Sequence, residues 1–230
     1  MPITVVGLDG DDTLWHNETR FHVTQGDLRD LLQRHVPDAD VHAHLFEVEM
    51  RNLGMYGYGV KSFTLSMIET AIELTEGRIP ATDLEVILGW GKRMLMEPTE
   101  LLDGVEDALH ELGRYDLLLI TKGDLFDQES KLARSGLADL FTGVEILSDK
   151  NASSYRRVLT RRGIKPEEFV MVGNSLRSDI VPVLELGARA VHIPYEVTWH
   201  HEHVPEDSLP KAGWHRLEKI SELSGLLATL

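Results

Sequence analysis

The feature that most constrains this chain is a series of short apolar runs that stop abruptly at polar residues. Ile3-Thr4-Val5-Val6-Gly7-Leu8 stops at Asp9, Leu117-Leu118-Leu119-Ile120 at Thr121-Lys122, and Phe169-Val170-Met171-Val172 at Gly173-Asn174. Gly143-Val144-Glu145-Ile146-Leu147 and Ala190-Val191-His192-Ile193 are of similar length. Such runs lack the alternating polar face of a half-exposed strand, so they predict strands buried on both sides, as in parallel sheets. Helical patterns at 105–112, 127–134, 154–160 and 180–186 fall between them, and another at 217–227 closes the chain. Strand–helix alternation of this kind predicts an α/β fold with a parallel sheet covered on both faces.

One stretch departs from the alternation. From about Thr24 to Pro98 the apolar residues recur at helical spacing: Leu28, Leu31, Leu32; Leu45, Phe46, Val48; Phe63, Met67, Ile68, Ala71; Ile87, Met94, Leu95. Asp83 is expected to cap the last of these helices, and the glycine-rich segment 54–59 is expected to be a connection between two of them. The stretch is too long for an ordinary crossover. It is therefore assigned as an inserted α-helical cap subdomain, residues 21–98, with 1–20 and 99–230 forming the sheet core.

Composition narrows the function classes. The chain has no cysteine, which excludes disulfides, thiolate metal sites and cysteine nucleophiles. Its 23 Lys and Arg against 38 Asp and Glu leave a net charge of −15. That field repels nucleic-acid backbones and anionic membranes, so neither is an expected partner. No run approaches the ~18 apolar residues of a membrane span, and the N-terminus lacks a basic signal-like segment, so a cytoplasmic protein is expected. Asn17-Glu18-Thr19 and Asn151-Ala152-Ser153 match a glycosylation sequon by chance on this reading.

Ligands of open parallel sheets bind outside the carboxyl ends of the strands. Those ends carry Asp9, Asp11 and Asp12 after the first strand, Thr121 after the second, Lys150 after the third, and Asn174 and Asp179 after the fourth. Two carboxylates ~5 Å apart repel by roughly 3 kcal/mol at an effective dielectric of 20. A cluster of them persists where a divalent cation or a shared proton relieves the repulsion. The candidate ligands are all oxygen donors, which fits a hard ion such as Mg²⁺.

In these residues the chain resembles the haloacid dehalogenase superfamily. Asp9-Gly10-Asp11-Asp12-Thr13 resembles its DxDx[TV] motif, Thr121 its second-strand Ser/Thr, Lys150 its third-motif lysine, and the segment from Gly173 to Asp179 its acidic fourth motif. Asn174 stands where that motif usually has Asp; its amide oxygen keeps a donor but removes a charge. The resemblance implies a Rossmann-like core with an inserted helical cap, and a phosphatase acting on a small phosphorylated molecule. Asp9 would be the nucleophile that forms an aspartyl-phosphate, and Asp11 the general acid and base. Thr121, the Lys122 amide and Lys150 would hold the phosphoryl oxygens, while Thr13 would orient the loop. Mg²⁺ would rest on Asp9, the Asp11 backbone carbonyl, and Asn174 or Asp179.

Because the family's dehalogenases lack the second aspartate, Asp11 favours phosphate esters over alkyl halides. A phosphomutase of the same superfamily, or more remotely a phospho-accepting binding module, are the alternatives. Trp15, Met55, Tyr56, Tyr58 and Lys61 are candidates to line the cap, although burial in a helical core is the commoner fate of such residues. The segment 199–203, with His200, His201 and His203, is expected to be a polar loop rather than a zinc site.

Overall fold

The computed structural model describes residues 2–205, 209–210 and 212–230. The chain divides into two compact units: residues 1–18, 99–122 and 128–230, and residues 19–98 together with 123–127.

The first unit is built on a six-stranded parallel sheet: β1 (Val5–Leu8), β2 (Asp116–Lys122), β3 (Gly143–Leu147), β4 (Phe169–Gly173), β5 (Arg189–His192) and β6 (Trp214–Arg216). Their spatial order is β3-β2-β1-β4-β5-β6, with β1 paired to both β2 and β4. The fold is therefore α/β and Rossmann-like. Strand alternation explains the unbroken apolar runs. Val6, Leu8, Leu117, Leu119, Val170, Val172 and Val191 pack on one face with α5 (Val105–Glu111) and α9 (Leu223–Leu227). Val5, Leu118, Ile120, Phe169, Met171 and Ala190 pack on the other with Tyr155, Val158 and Leu159 of α7 (Ala152–Arg162). Each strand thus needs apolar side chains at both parities. The register places Leu8 beside Leu119 and Val172, so the residues following β1 and β4 emerge side by side at the carboxyl end of the sheet.

Several local expectations are corrected. β6 gives no strand signal in the sequence because it is only three residues long and His215 and Arg216 are exposed. The expected helix 217–227 is a 3₁₀ turn, Ile220–Glu222, followed by the short α9. The expected helix 180–186 is a π-helical turn, Leu176–Ile180, followed by α8 (Val181–Leu184), whose start carries Pro182.

The second unit contains α1 (Glu18–Leu32, which begins at its boundary), α2 (Val41–Tyr56), α3 (Val60–Leu74) and α4 (Ala81–Met96). They bury Leu28, Leu32, Leu45, Phe63, Met67 and Ile87 together. Segment 54–59 is not a loop throughout. α2 continues through Gly54 to Tyr56, and the turn is made at Gly57 and Gly59, both at positive φ. A glycine inside a helix costs about 1 kcal/mol, which the packing of α2 outweighs. Asp83 is not the cap of α4 either. Pro80 holds that position, and Asp83, in the first turn, pairs with His35 at 2.7 Å. Lys61 reaches both carboxylate oxygens of Asp124 (2.9 and 3.0 Å) and lies 5.6 Å from the centre of the Phe126 ring, contacts that tie 123–127 to this unit. Met55 and Tyr56 are exposed, whereas Trp15 is fully buried in the core of the first unit and belongs to no cap surface. No helix among the described residues is long and apolar enough to cross a membrane.

Leu8→Ala should lower the unfolding free energy by about 2–5 kcal/mol, because Leu8 is fully buried at the centre of the sheet. Val23→Ala, at an exposed position, should change it by less than about 0.5 kcal/mol. Urea titration of the two variants checks this.

Candidate active site

Asp9 follows β1 directly, and its N–H still donates to the Val172 carbonyl at 2.9 Å, so the sheet ladder fixes its backbone. Its side chain is buried and meets two groups. The Lys150 ammonium donates to Oδ1, and the Thr13 hydroxyl lies 3.2 Å from Oδ2. Burial is the largest influence on this carboxyl. With Asp179 adding to it and Lys150 opposing it, the Asp9 carboxyl is pushed up to about 7. Lys150 bridges to Asp179 at 2.7 Å. Burial acts to lower its affinity for a proton, but the two carboxylates outweigh that and hold the ammonium charged. Lys150 is placed by the start of α7, where Asn151 caps the helix by accepting the Ser154 N–H at 3.0 Å.

The loop after β4 supplies Asn174 and Asp179. The Asn174 N–H donates to the Thr13 hydroxyl at 3.1 Å, and the Asn174 side-chain oxygen is 3.4 Å from the same hydroxyl. A hydroxyl has one proton, so Thr13 donates either to Asp9 or to Asn174 while accepting from the backbone. Thr13 therefore ties the β1 loop to the β4 loop. Asp179 is fully buried and accepts from Lys150 and from the Ser175 N–H at 3.0 Å. The hydroxyl of Tyr155 donates to the Ser178 carbonyl at 3.0 Å beside it. At Gly173 a Cβ would lie 2.2 Å from the Asp179 carboxylate, so this close approach admits only glycine. His192 reaches the Asn174 carbonyl at 3.0 Å through Nε2, which must carry the proton because a carbonyl only accepts.

Asp11 lies in a different environment two residues on. Its carboxylate accepts from the Trp15 indole N–H (2.7 Å), the Gln128 amide (2.8 Å) and the Lys131 ammonium (2.9 and 3.1 Å). Burial acts to raise this carboxyl, but Lys131 and the other donors outweigh it and hold it below the usual range. Gln128 also joins Thr121 to this group, since the buried Thr121 hydroxyl donates to its side-chain oxygen at 3.3 Å. Asp12 has a structural task. Its backbone takes a φ of 62°, and its carboxylate accepts from the N–H groups of Asn17 and Glu18 where α1 begins. Burial pushes its carboxyl up to about 7.

The Lys122 side chain runs to Glu202 and to the Ser178 hydroxyl (2.9 Å). Glu202 also accepts from the hydroxyls of Ser175 and Ser178. Burial acts to raise the Glu202 carboxyl, but Lys122 and the two serines hold it down at about 2. Segment 199–203 is thus an anchored segment rather than a merely solvated loop, and its histidines converge on no metal site among the described residues.

The structure therefore brings Asp9, Thr13, Lys150, Asn174 and Asp179 into one hydrogen-bonded group. Asp11 and Thr121 are joined through Gln128, and Lys122 through Glu202. Gln128, Lys131 and Tyr155 carry no motif in the sequence, and Ser175 and Glu202 stand there only as parts of the segments 173–179 and 199–203. Only the helical spacing of Gln128 and Lys131 hinted that these two share a face. The donors near Asp9 are oxygens: two carboxylates and an amide. No three Asp, Glu, His or Cys side chains converge among the described residues. This donor set fits a hard, oxygen-seeking divalent cation and does not fit zinc.

The family model for haloacid dehalogenase-like hydrolases matches residues 3–184. The chain belongs to this family. A solved haloacid dehalogenase-like family hydrolase from Xanthomonas campestris is 41% identical, covering 99% of this chain and 91% of that one, with a TM-score of 0.88. A magnesium-bound HAD-hydrolase from Bacillus subtilis shares the fold at 18% identity, covering 99% of each chain with a TM-score of 0.67. Among curated proteins, a glyceraldehyde 3-phosphate phosphatase from Methanothermobacter thermautotrophicus is 32% identical over 120 residues. That match takes in 49% of this chain and about half (51%) of the relative. The segments that resemble the family's motifs, at 9–13, 121, 150 and 173–179, all lie in the first unit.

Glu202→Gln should destabilise the protein on the order of 3 kcal/mol at pH 7, from the depression of its carboxyl to about 2. A depressed carboxyl contributes its stability above the unfolded value of about 4.5 and loses it as the pH falls toward 2. The difference from wild type should therefore close across that window, as read by denaturant titration at a series of pH values.

Proposed function

We propose that this HAD hydrolase is a Mg²⁺-dependent phosphatase that cleaves a small phosphorylated molecule through an aspartyl-phosphate on Asp9. The observation that carries the reading is Asp11: a second carboxylate two residues beyond the buried Asp9, held in its own set of donors. Cleavage of an alkyl halide releases a halide that needs no proton, and such a reaction would leave Asp11 without a task. The curated relative, named as a phosphatase of a small sugar phosphate, supports the same choice.

In this reading an Asp9 oxygen attacks phosphorus in line, and the bond from phosphorus to the leaving oxygen breaks. Asp11 gives that oxygen a proton. The negative charge of a bound phosphate raises the affinity of the Asp11 carboxyl for this proton, opposing Lys131. Asp11, now a carboxylate, then takes a proton from water as the water attacks phosphorus, and the bond to Asp9 breaks to release phosphate. Thr121, the Lys122 amide and Lys150 hold the phosphoryl oxygens, and Thr13 orients Asp9. Asp9, the Asp11 carbonyl, and Asn174 or Asp179 would hold Mg²⁺. When bound, the ion offsets the repulsion between an anionic nucleophile and an anionic phosphate.

Asp9→Asn should abolish Mg²⁺-dependent release of phosphate from p-nitrophenyl phosphate while leaving the circular dichroism unchanged; turnover like that of wild type would overturn the nucleophile. Asn174→Asp restores a charge to the donor set and should leave the Mg²⁺ activation constant unchanged or lower it. A severe loss of Mg²⁺ activation in that variant would overturn the placement of the ion.

A further inference from the structure

We propose that Lys131 is the positioning residue of the acid–base step, holding Asp11 in the one orientation from which it serves the leaving group. This inference rests on the phosphatase reading above and extends it to a residue outside the recognised motifs.

The geometry supplies the argument. Three side chains make four contacts with the Asp11 carboxylate: Trp15 on Oδ1, Gln128 on Oδ2, and Lys131 on both, one of which must give way when the carboxyl carries the proton it delivers. Among the described residues Lys131 alone touches both oxygens, so one ammonium adds to the resistance to rotation that Trp15 and Gln128 give on one oxygen each. It lies on α6 (Leu125–Ser135), one turn beyond Gln128, so one helix presents both donors from the same side. A buried lysine carries a large cost in side-chain entropy and desolvation. Lys131 is 7% exposed, and its ammonium is held a second time by the Asn17 side-chain oxygen at 2.8 Å. Lys131 is thus itself fixed in place, with Asn17 of the first unit on one side and Asp11 on the other.

A positioned acid matters in proportion to the need of the leaving oxygen for a proton. The test therefore compares p-nitrophenyl phosphate, which has a good leaving group, with phenyl phosphate, which has a poor one. Wild type, Lys131→Met, Lys131→Arg and Asp11→Asn are assayed at saturating Mg²⁺. In Lys131→Met, kcat for phenyl phosphate should fall roughly 10-fold more than kcat for p-nitrophenyl phosphate, with KM little changed. Lys131→Arg should recover most of the loss. In the Asp11→Asn background, Lys131→Met should add no further leaving-group dependence.

An equal loss for both substrates would overturn the inference and assign Lys131 to stability alone, and so would a further leaving-group effect in the Asp11→Asn background. Should Lys131→Met fail to fold, Asn17→Ala, which removes the second anchor of the ammonium, must show the same selective loss for the inference to stand. Full activity in Asp9→Asn would instead refute the phosphatase reading, a separate result.

Discussion

Removing water from the Asp9 carboxylate is the constraint on which the rest of the site depends. A carboxylate at the end of a strand buried on both faces has lost its hydration, and an uncompensated buried charge costs several kcal/mol. The surroundings of Asp9 answer that cost: the Lys150 ammonium on one oxygen and the Thr13 hydroxyl near the other. Lys150 is buried in turn, so it needs both Asp9 and Asp179, and Asp179 needs the Ser175 N–H and the tight turn at Gly173. These groups come from the ends of β1, β3 and β4. The order β3-β2-β1-β4 brings those ends together at the carboxyl end of the sheet.

Two aspartates two residues apart are driven in opposite directions by their surroundings. At Asp9 burial dominates and the carboxyl rises to about 7. At Asp11 burial is outweighed by Lys131, Gln128 and Trp15, and the carboxyl falls below the usual range. The two carboxyls thus divide between different sets of neighbours, and a cation on Asp9 or a phosphate beside Asp11 would shift each back toward the form its proposed role needs. Here the division follows from direction along the loop. Asp9 stays on the strand axis between the β-strands, while Asp11 turns toward α6 and Asp12 turns back to the start of α1.

Beyond the motifs, a layer of side chains holds the loops in register. Glu202 binds Lys122 at the end of β2 and both serines after β4, from a segment after β5. The chain carries a net charge of −15, so anions approach it against its own field. Lys150 sits between two carboxylates and Lys131 beside one, local countercharges that neither the composition nor the net charge reveals.

The alternation of fully apolar runs with helical patterns was enough to determine the parallel sheet and the helical insertion, because period and burial are properties of neighbouring residues. The spacing of Asp9, Asp11 and Thr13, and the seven-residue stretch from Gly173 to Asp179, likewise marked two loops that the fold brings together, since each motif is local to one loop. The partners of those residues are not local. Lys131 is 120 residues from Asp11, Lys122 is 80 from Glu202, and Lys150 is 141 from Asp9. Which donor meets which carboxylate, and hence which aspartate is raised and which lowered, was decided only when the strands paired. Strand β6 and the turns near Pro182 were hidden for the opposite reason. They are short, with few residues to show a period, and packing against the finished sheet gives them their form.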